Sequence, residues 1–357
     1  VGSRKTNPGC ISQVAAGLSI ETLTLLFRRW KSLMSVSDLK QTIPQGFNSP
    51  TALPQTPEER EAWQQANRAW WESHPMRYDF SAKVQEKEFS EEFYREIDAR
   101  FFSDVQTFMP WKDISFDPLI DFQSLKDKDV LEIGVGNGSH AQLISPFTRS
   151  YTGIDLTDYA VTSTTKRLQL FNGAKSNTKI IRMDAERMDF ADNSFDFIWS
   201  WGVIHHSANT RKIIEEMHRV LRPGGQAITM VYHRSFWNYY IFAGLFGGLL
   251  RGKLPKHGLV HNARQQLIDG AIARYYTRSE WRTLVSDLFT VDDTRIYGSK
   301  SELLPMPSGK VKDLLRIVIP NACARLMTNQ CKMGMFLVST LRKASDAPHS
   351  MTASSTL

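Results

Sequence analysis

Between residues 125 and 232, short apolar runs alternate with longer segments whose apolar positions recur every three or four residues. The runs read as strands at 129–133, 150–154, 179–183, 195–200 and 226–232, and the periodic segments as helices at 139–147, 157–171 and 209–221. Strands joined through helices by short connections predict a parallel sheet covered on both faces. Pro223, Gly224 and Gly225 supply the breakers that end the last of these helices. Beyond them, Thr277 and Glu280 form a capping box that opens another helix, and strands near 290–297 and 333–341 would complete the sheet.

The flanks have a different texture. Thr56, Pro57 and Glu59 give a cap, a first-turn proline and a capping-box acid, so a helix should start there; it carries Trp63, Trp70 and Trp71 and stops near His74-Pro75. In the next helix Phe89, Phe93, Ile97 and Phe101 share one face every four residues, which reads as core. Prolines 44, 50, 54 and 57 mark residues 40–57 as a linker. Residues 1–36 hold a single acid, Glu21, among five cations, a bias that fits an organelle transit peptide or a helical or frayed appendage. The expected divisions are an N-terminal extension and linker (1–57), a helical cap segment (58–124), the alternating core (125–232), an apolar insertion (233–275), the end of the sheet (276–343) and a disordered Ser/Thr/Ala-rich tail (344–357).

The first strand runs into Gly134-Val135-Gly136-Asn137-Gly138 before Ser139 opens a helix. Such a turn presents backbone N–H groups and a helix dipole at the carboxyl edge of the sheet, and glycine lets a ligand approach closely. The dinucleotide fingerprint G-x-G-x-x-G would need glycine at position 139, where Ser139 stands. Asp155 ends the next strand, seventeen residues after Gly138, where a carboxylate can accept both ribose hydroxyls of an adenosine.

The pattern E-x-G-x-G-x-G, the Met183-Asp184-Ala185-Glu186 segment, the strand at 195–200 and the stretch from Arg219 to Gly225 resemble the consecutive motifs of class I S-adenosylmethionine-dependent methyltransferases. The likeness is to the type 11 group, which includes ubiquinone/menaquinone C-methyltransferases, and it covers roughly residues 128–232. It implies an α/β fold with a Rossmann-like, seven-stranded, mostly parallel sheet, and S-adenosyl-L-methionine as cofactor. Gly134, Gly136 and Gly138 would meet its methionine and ribose portions, with Glu132 and Asn137 of the same motif as further contacts. Asp155 would take the ribose diol, Leu156 pack on the adenine, Asp184 accept the exocyclic amine and Ala185 offer its backbone. Ser200 and Trp201 would lie beside the methionine moiety. A Tyr-Asp pair in the N-terminal segment of similar enzymes implies that Tyr78 caps that same end; a plain turn residue is the other reading.

Methyl transfer needs a general base only where the acceptor must lose a proton. His206 is the first candidate and His233 the second, both at carboxyl ends of strands, against the alternative that each only lines the pocket or bonds to backbone. The run from Phe236 to Leu250 is almost wholly aromatic and apolar, with Arg234 before it and Arg251, Lys253 and Lys256 after it. A lid over an apolar substrate, a membrane-surface anchor, a dimer contact and a buried helix all remain open, while Gly244, Gly247, Gly248 and Gly252 favour a hinged cover.

Composition narrows the field further. The net charge of +7 comes from scattered cations, without the basic run and interleaved aromatics of a nucleic-acid groove, so no nucleic-acid partner is expected. Cys10, Cys323 and Cys331 have neither disulfide-framework nor metal spacing, which suits a reducing, cytoplasmic setting and predicts no metal site. The chain is long enough for a full core yet has no apolar run of about 18 residues, the length of a spanning helix. The resulting expectation is an enzyme methylating a small, apolar or lipid-like acceptor, with peripheral membrane contact left open. The alternatives are a protein or nucleic-acid methyltransferase and a non-catalytic cofactor-binding protein.

Overall fold

The computed structural model describes residues 45–79, 83–171, 173, 177–241, 261, 271–304 and 310–345. The chain divides into two compact units, 1–43 and 44–357, and every described residue belongs to the second. The readings of residues 1–36, of most of the apolar insertion and of the tail beyond 345 lie outside the described residues.

The apolar runs form parallel strands β1 (Asp129–Ile133), β2 (Ser150–Asp155), β3 (Thr178–Arg182), β4 (Phe195–Trp201) and β5 (Leu221–His233). Three later strands follow: β6 (Tyr275–Tyr276), β7 (Thr290–Tyr297) and β8 (Phe336–Arg342). The sheet order is β3-β2-β1-β4-β5-β8-β7, with β8 antiparallel to both of its neighbours. The two-residue β6 pairs with the tip of β5, which makes eight strands where seven were expected. Strand order reverses between β1 and β4, and an open α/β sheet places its ligand crevice at such a switch point.

The described helices are α1 (Gln45–Asn48), α2 (Pro57–Ser73), α3 (Glu91–Phe108), α4 (Ser139–Ile144), α5 (Asp158–Phe171), α6 (Thr210–Val220), α7 (Arg278–Val285), α8 (Lys310–Val318) and α9 (Asn321–Arg325). Strand alternation sorts the core into two layers. Leu131 and Ile133 of β1 pack with Ile213 and Met217 of α6 and Trp281 of α7. Val130, on the other face, packs with Phe101 and Val105 of α3, Ile144 of α4 and Leu168 of α5. Each such buried side chain contributes about 1.5–3 kcal/mol.

The caps follow the sequence with one variation. Thr56 accepts the N–H of Glu59, but the Glu59 carboxylate takes the N–H of Gln55, one residue ahead of the cap. Thr277 and Glu280 close both arms of a capping box. The stretch read as a proline linker departs more. Phe47 and Ala52 pack against Trp63 and Ile272, and Arg274 donates to the carbonyls of Pro50 at 2.6 Å and Ala52 at 2.8 Å. A buried guanidinium held by backbone carbonyls makes residues 45–54 part of the folded body.

Candidate active site

The glycine turn lies at the switch point, and its glycines have different tasks. Gly134 has φ +82°, and a Cβ there would stand 2.2 Å from a Val203 methyl. Gly136 has φ +51°, yet a Cβ there would meet nothing within 4 Å. Gly138 has φ +78° and caps α4, close against Thr164 and Arg167 rather than in the crevice. The buried Arg167 fixes this turn from below: it donates to the Asn137 carbonyl, Ser139 Oγ and Gln142 Oε1, and pairs with Asp98. Asn137, expected as a ligand contact, spends its side chain on the frame. It donates to the Met76 carbonyl at 2.5 Å and accepts from Ser163 at 2.8 Å, tying the segment after α2 over the turn.

Above the turn opens a cavity of about 1180 Å³ whose walls include Glu132, Gly134, Gly136, Asp155 and Leu156 on one side of the switch point. Asp184, Ala185, Trp201 and His206 contribute the other side, and Tyr78 the cover. Asp155 accepts the Gly136 N–H at 3.1 Å and both the N–H and hydroxyl of Thr157, at 3.0 and 2.9 Å. Burial pushes its carboxyl up, opposed by those donors. Asp184 is likewise raised by burial, and its Oδ1 accepts from Glu186 N–H and Gln64 Nε2, at 2.9 and 2.8 Å.

Gln64 and Asn67 were not among the expected residues. They are buried on α2, where Gln64 also accepts the Ala208 N–H and Asn67 donates to the His206 carbonyl. Helix α2 therefore grips both Asp184 and the loop after β4. Two amides three residues apart within a tryptophan-bearing face were the signal available for this role.

Glu132 sits beneath the turn on the α3 side of the sheet, where Tyr151 donates to its carboxylate. Burial pushes its pKa up to about 8, partly opposed by that hydrogen bond. Tyr78 holds a left-handed φ of +54° and stacks on Phe101 with ring centroids 4.7 Å apart. A non-glycine residue in that region costs about 1–2 kcal/mol, strain of the kind found at ligand clamps.

Besides Gly138, two expected residues lie outside the cavity. Ser200 is fully buried and donates to the Ile133 carbonyl at 3.3 Å. His233 turns away from the crevice and meets the Gly334 carbonyl at 2.9 Å, with its pKa lowered mainly by burial. In both cases strand alternation puts the neighbour into the cavity instead, Trp201 and Tyr232. His206 does line it, with Nδ1 on the Ile272 carbonyl at 2.6 Å and its ring edge-on to Trp71 at 5.0 Å. A carbonyl partner makes Nδ1 the donor, so the neutral ring carries its lone pair on Nε2. Among the described residues no three His, Cys, Asp or Glu side chains come together as a metal set.

A doubly covered sheet with two acids and a glycine turn converging at its switch point is an arrangement suited to an adenosine-bearing ligand. The family model described as a methyltransferase domain matches residues 131–229. Over 101 residues, 28% of this chain and 26% of the relative, the chain is 34% identical to sterol 24-C-methyltransferase erg-4 of Neurospora crassa. It is 35% identical over 103 residues to phthiotriol/phenolphthiotriol dimycocerosates methyltransferase of Mycobacterium tuberculosis, covering 28% of this chain and 36% of that one. With phosphoethanolamine N-methyltransferase 2 of Caenorhabditis elegans it shares 32% identity over 108 residues, 30% of this chain and 24% of the relative. The chain thus spans between about a quarter and a third of the curated relatives it matches. Residues 131–229 therefore form a methyltransferase domain, a class whose methyl donor is S-adenosylmethionine. The residues present fit that cofactor: the open space at Gly136 admits its close approach, and Asp155 and Asp184 offer acceptors to a diol and an amine.

Proposed function

We propose that this protein transfers a methyl group from S-adenosylmethionine to a small, lipid-like acceptor. The observation that carries this reading is the size of the cavity. At about 1180 Å³ it exceeds the range of about 300–1,000 Å³ usual for a single small ligand, leaving room for a second molecule beside the cofactor. Its walls include the aromatic and aliphatic side chains Phe101, Phe108, Met230 and Phe336. Polar side chains, Arg100, Asp104 and Ser301 among them, also line it. Such a mixed lining suits an acceptor with an apolar body and a polar group. The names of the relatives, which include a sterol and a dimycocerosate methyltransferase, lend support.

The bound sulfonium would supply an electrophilic methyl carbon. Asp155, Asp184 and the glycine turn fix its adenosine and methionine portions, and Tyr78 with Trp71 and Trp201 keeps water from the reacting end. His206 Nε2 takes the proton from an acceptor hydroxyl or amine; an acceptor that is already nucleophilic has no need of it. Incubation with methyl-labelled cofactor and a fractionated cell extract tests the reading. The label should enter the lipid fraction; label confined to protein or nucleic acid would overturn it.

A further inference from the structure

We propose that α8 and the segment after α9 form a docking surface for an anionic lipid bilayer, with the cavity that Lys312 and Arg316 line behind α8. Helix α8 has its polarity reversed. Leu314, Ile317 and Val318 fall on one face and are 60%, 79% and 65% exposed. Lys312 and Arg316, on the opposite face at about 100° per residue, line the cavity. A helix that served only to cover this end would turn its aliphatic face inward.

The exposed face does not stop with the helix, since Leu326 and Met327 are also exposed, at 58% and 42%. Phe236 is 73% exposed, and its chain neighbour Trp237 donates to the carbonyl of Glu302. Glu302 belongs to the turn Lys300–Leu303, and Lys300 donates to the Arg316 carbonyl at the end of α8.

The charge of the segment selects the occupant. Residues 310–332 contain five cations (Lys310, Lys312, Arg316, Arg325 and Lys332) against one acid, Asp313. Lys312 and Arg316 face the cavity, and the cations left to the exposed side, Lys332 above all, suit the headgroups of an anionic bilayer while the aliphatic and aromatic side chains enter its acyl boundary. No helix of the described residues is long and apolar enough to cross a membrane, and the contact proposed is with the bilayer surface. A lipid acceptor would then pass from the bilayer past Lys312 and Arg316 into the cavity. That passage rests on the acceptor class proposed above; the docking does not.

The test needs no acceptor and no turnover. The full chain is sedimented with phosphatidylcholine vesicles containing about 30 mol% phosphatidylserine, and with phosphatidylcholine alone, at low and high salt. The wild type should pellet with the anionic vesicles in a salt-sensitive way. Ile317→Glu combined with Val318→Glu should lower partitioning at least tenfold, and Leu326→Ser with Met327→Ser should lower it separately. Both variants should keep the wild-type affinity for S-adenosylhomocysteine, because none of these side chains lines the cavity. Failure of the wild type to bind, or equal binding by both folded variants, would overturn the proposal. So would a concentration-dependent dimer in sedimentation equilibrium that the substitutions abolish, which would assign the face to a second copy of the chain.

Discussion

Alanine at Gly136 and alanine at Gly134 should fail in opposite ways. Both residues sit at positive φ, so either substitution pays a left-handed strain of about 1–2 kcal/mol. At Gly134 the new Cβ would also lie 2.2 and 2.6 Å from the two Val203 methyls, and overpacking of that kind adds about 1–3 kcal/mol. At Gly136 the Cβ meets no protein atom and stands instead in the space the ligand would fill. Gly134→Ala should therefore lose roughly 2–5 kcal/mol of stability, the sum of the two terms. Gly136→Ala should lose only about 1–2 kcal/mol, yet bind S-adenosylhomocysteine at least about tenfold more weakly, near 1.4 kcal/mol. Thermal unfolding without ligand gives the first quantity and calorimetric titration the second. Undiminished affinity in Gly136→Ala, or a Gly134→Ala protein more stable than Gly136→Ala, would refute the assignment of the turn.

His206→Ala should lower turnover by roughly 10²–10⁴-fold with cofactor affinity nearly intact, if the acceptor must lose a proton. His233→Ala should leave turnover close to wild type, since that ring lies outside the cavity; a reversed pattern in steady-state kinetics would refute the assignment. Glu132 contributes a pH dependence of stability. Its folded pKa is raised from 4.5 to about 8, so the folded state keeps a proton that the unfolded chain releases. The stability associated with that proton is complete at low pH and is lost as pH rises through about 8. Denaturant titrations should show wild type losing stability relative to Glu132→Gln between about pH 4.5 and 8; a constant difference would contradict the burial argument.

What could be read from sequence was local. β1 falls on its expected residues, and the glycine turn, Asp155 and Asp184 come together because each is fixed by its own strand end. Chain segments far apart in sequence were the harder part. Nothing in the spacing of α2 shows that Gln64 reaches Asp184, 120 residues away, or that Asn67 meets the His206 carbonyl. Strand β8 slots between β5 and β7 through long-range pairing, which local periodicity does not encode. Ser200 and His233 are different, because the information was present. A period of two places Trp201 and Tyr232 in the crevice and turns their neighbours away.

Calorimetric titration of the wild-type chain with S-adenosylhomocysteine, and with NAD as the rival ligand, decides the nature of the site. Saturable binding of the first at one ligand per chain is expected, with no heat from NAD. Asp155→Ala should weaken that binding by about 1.5–3 kcal/mol, the range for hydrogen bonds to a charged group, or roughly 10–150-fold. Binding of NAD in its place, or an affinity unchanged by Asp155→Ala, would contradict the assignment of the adenosine site.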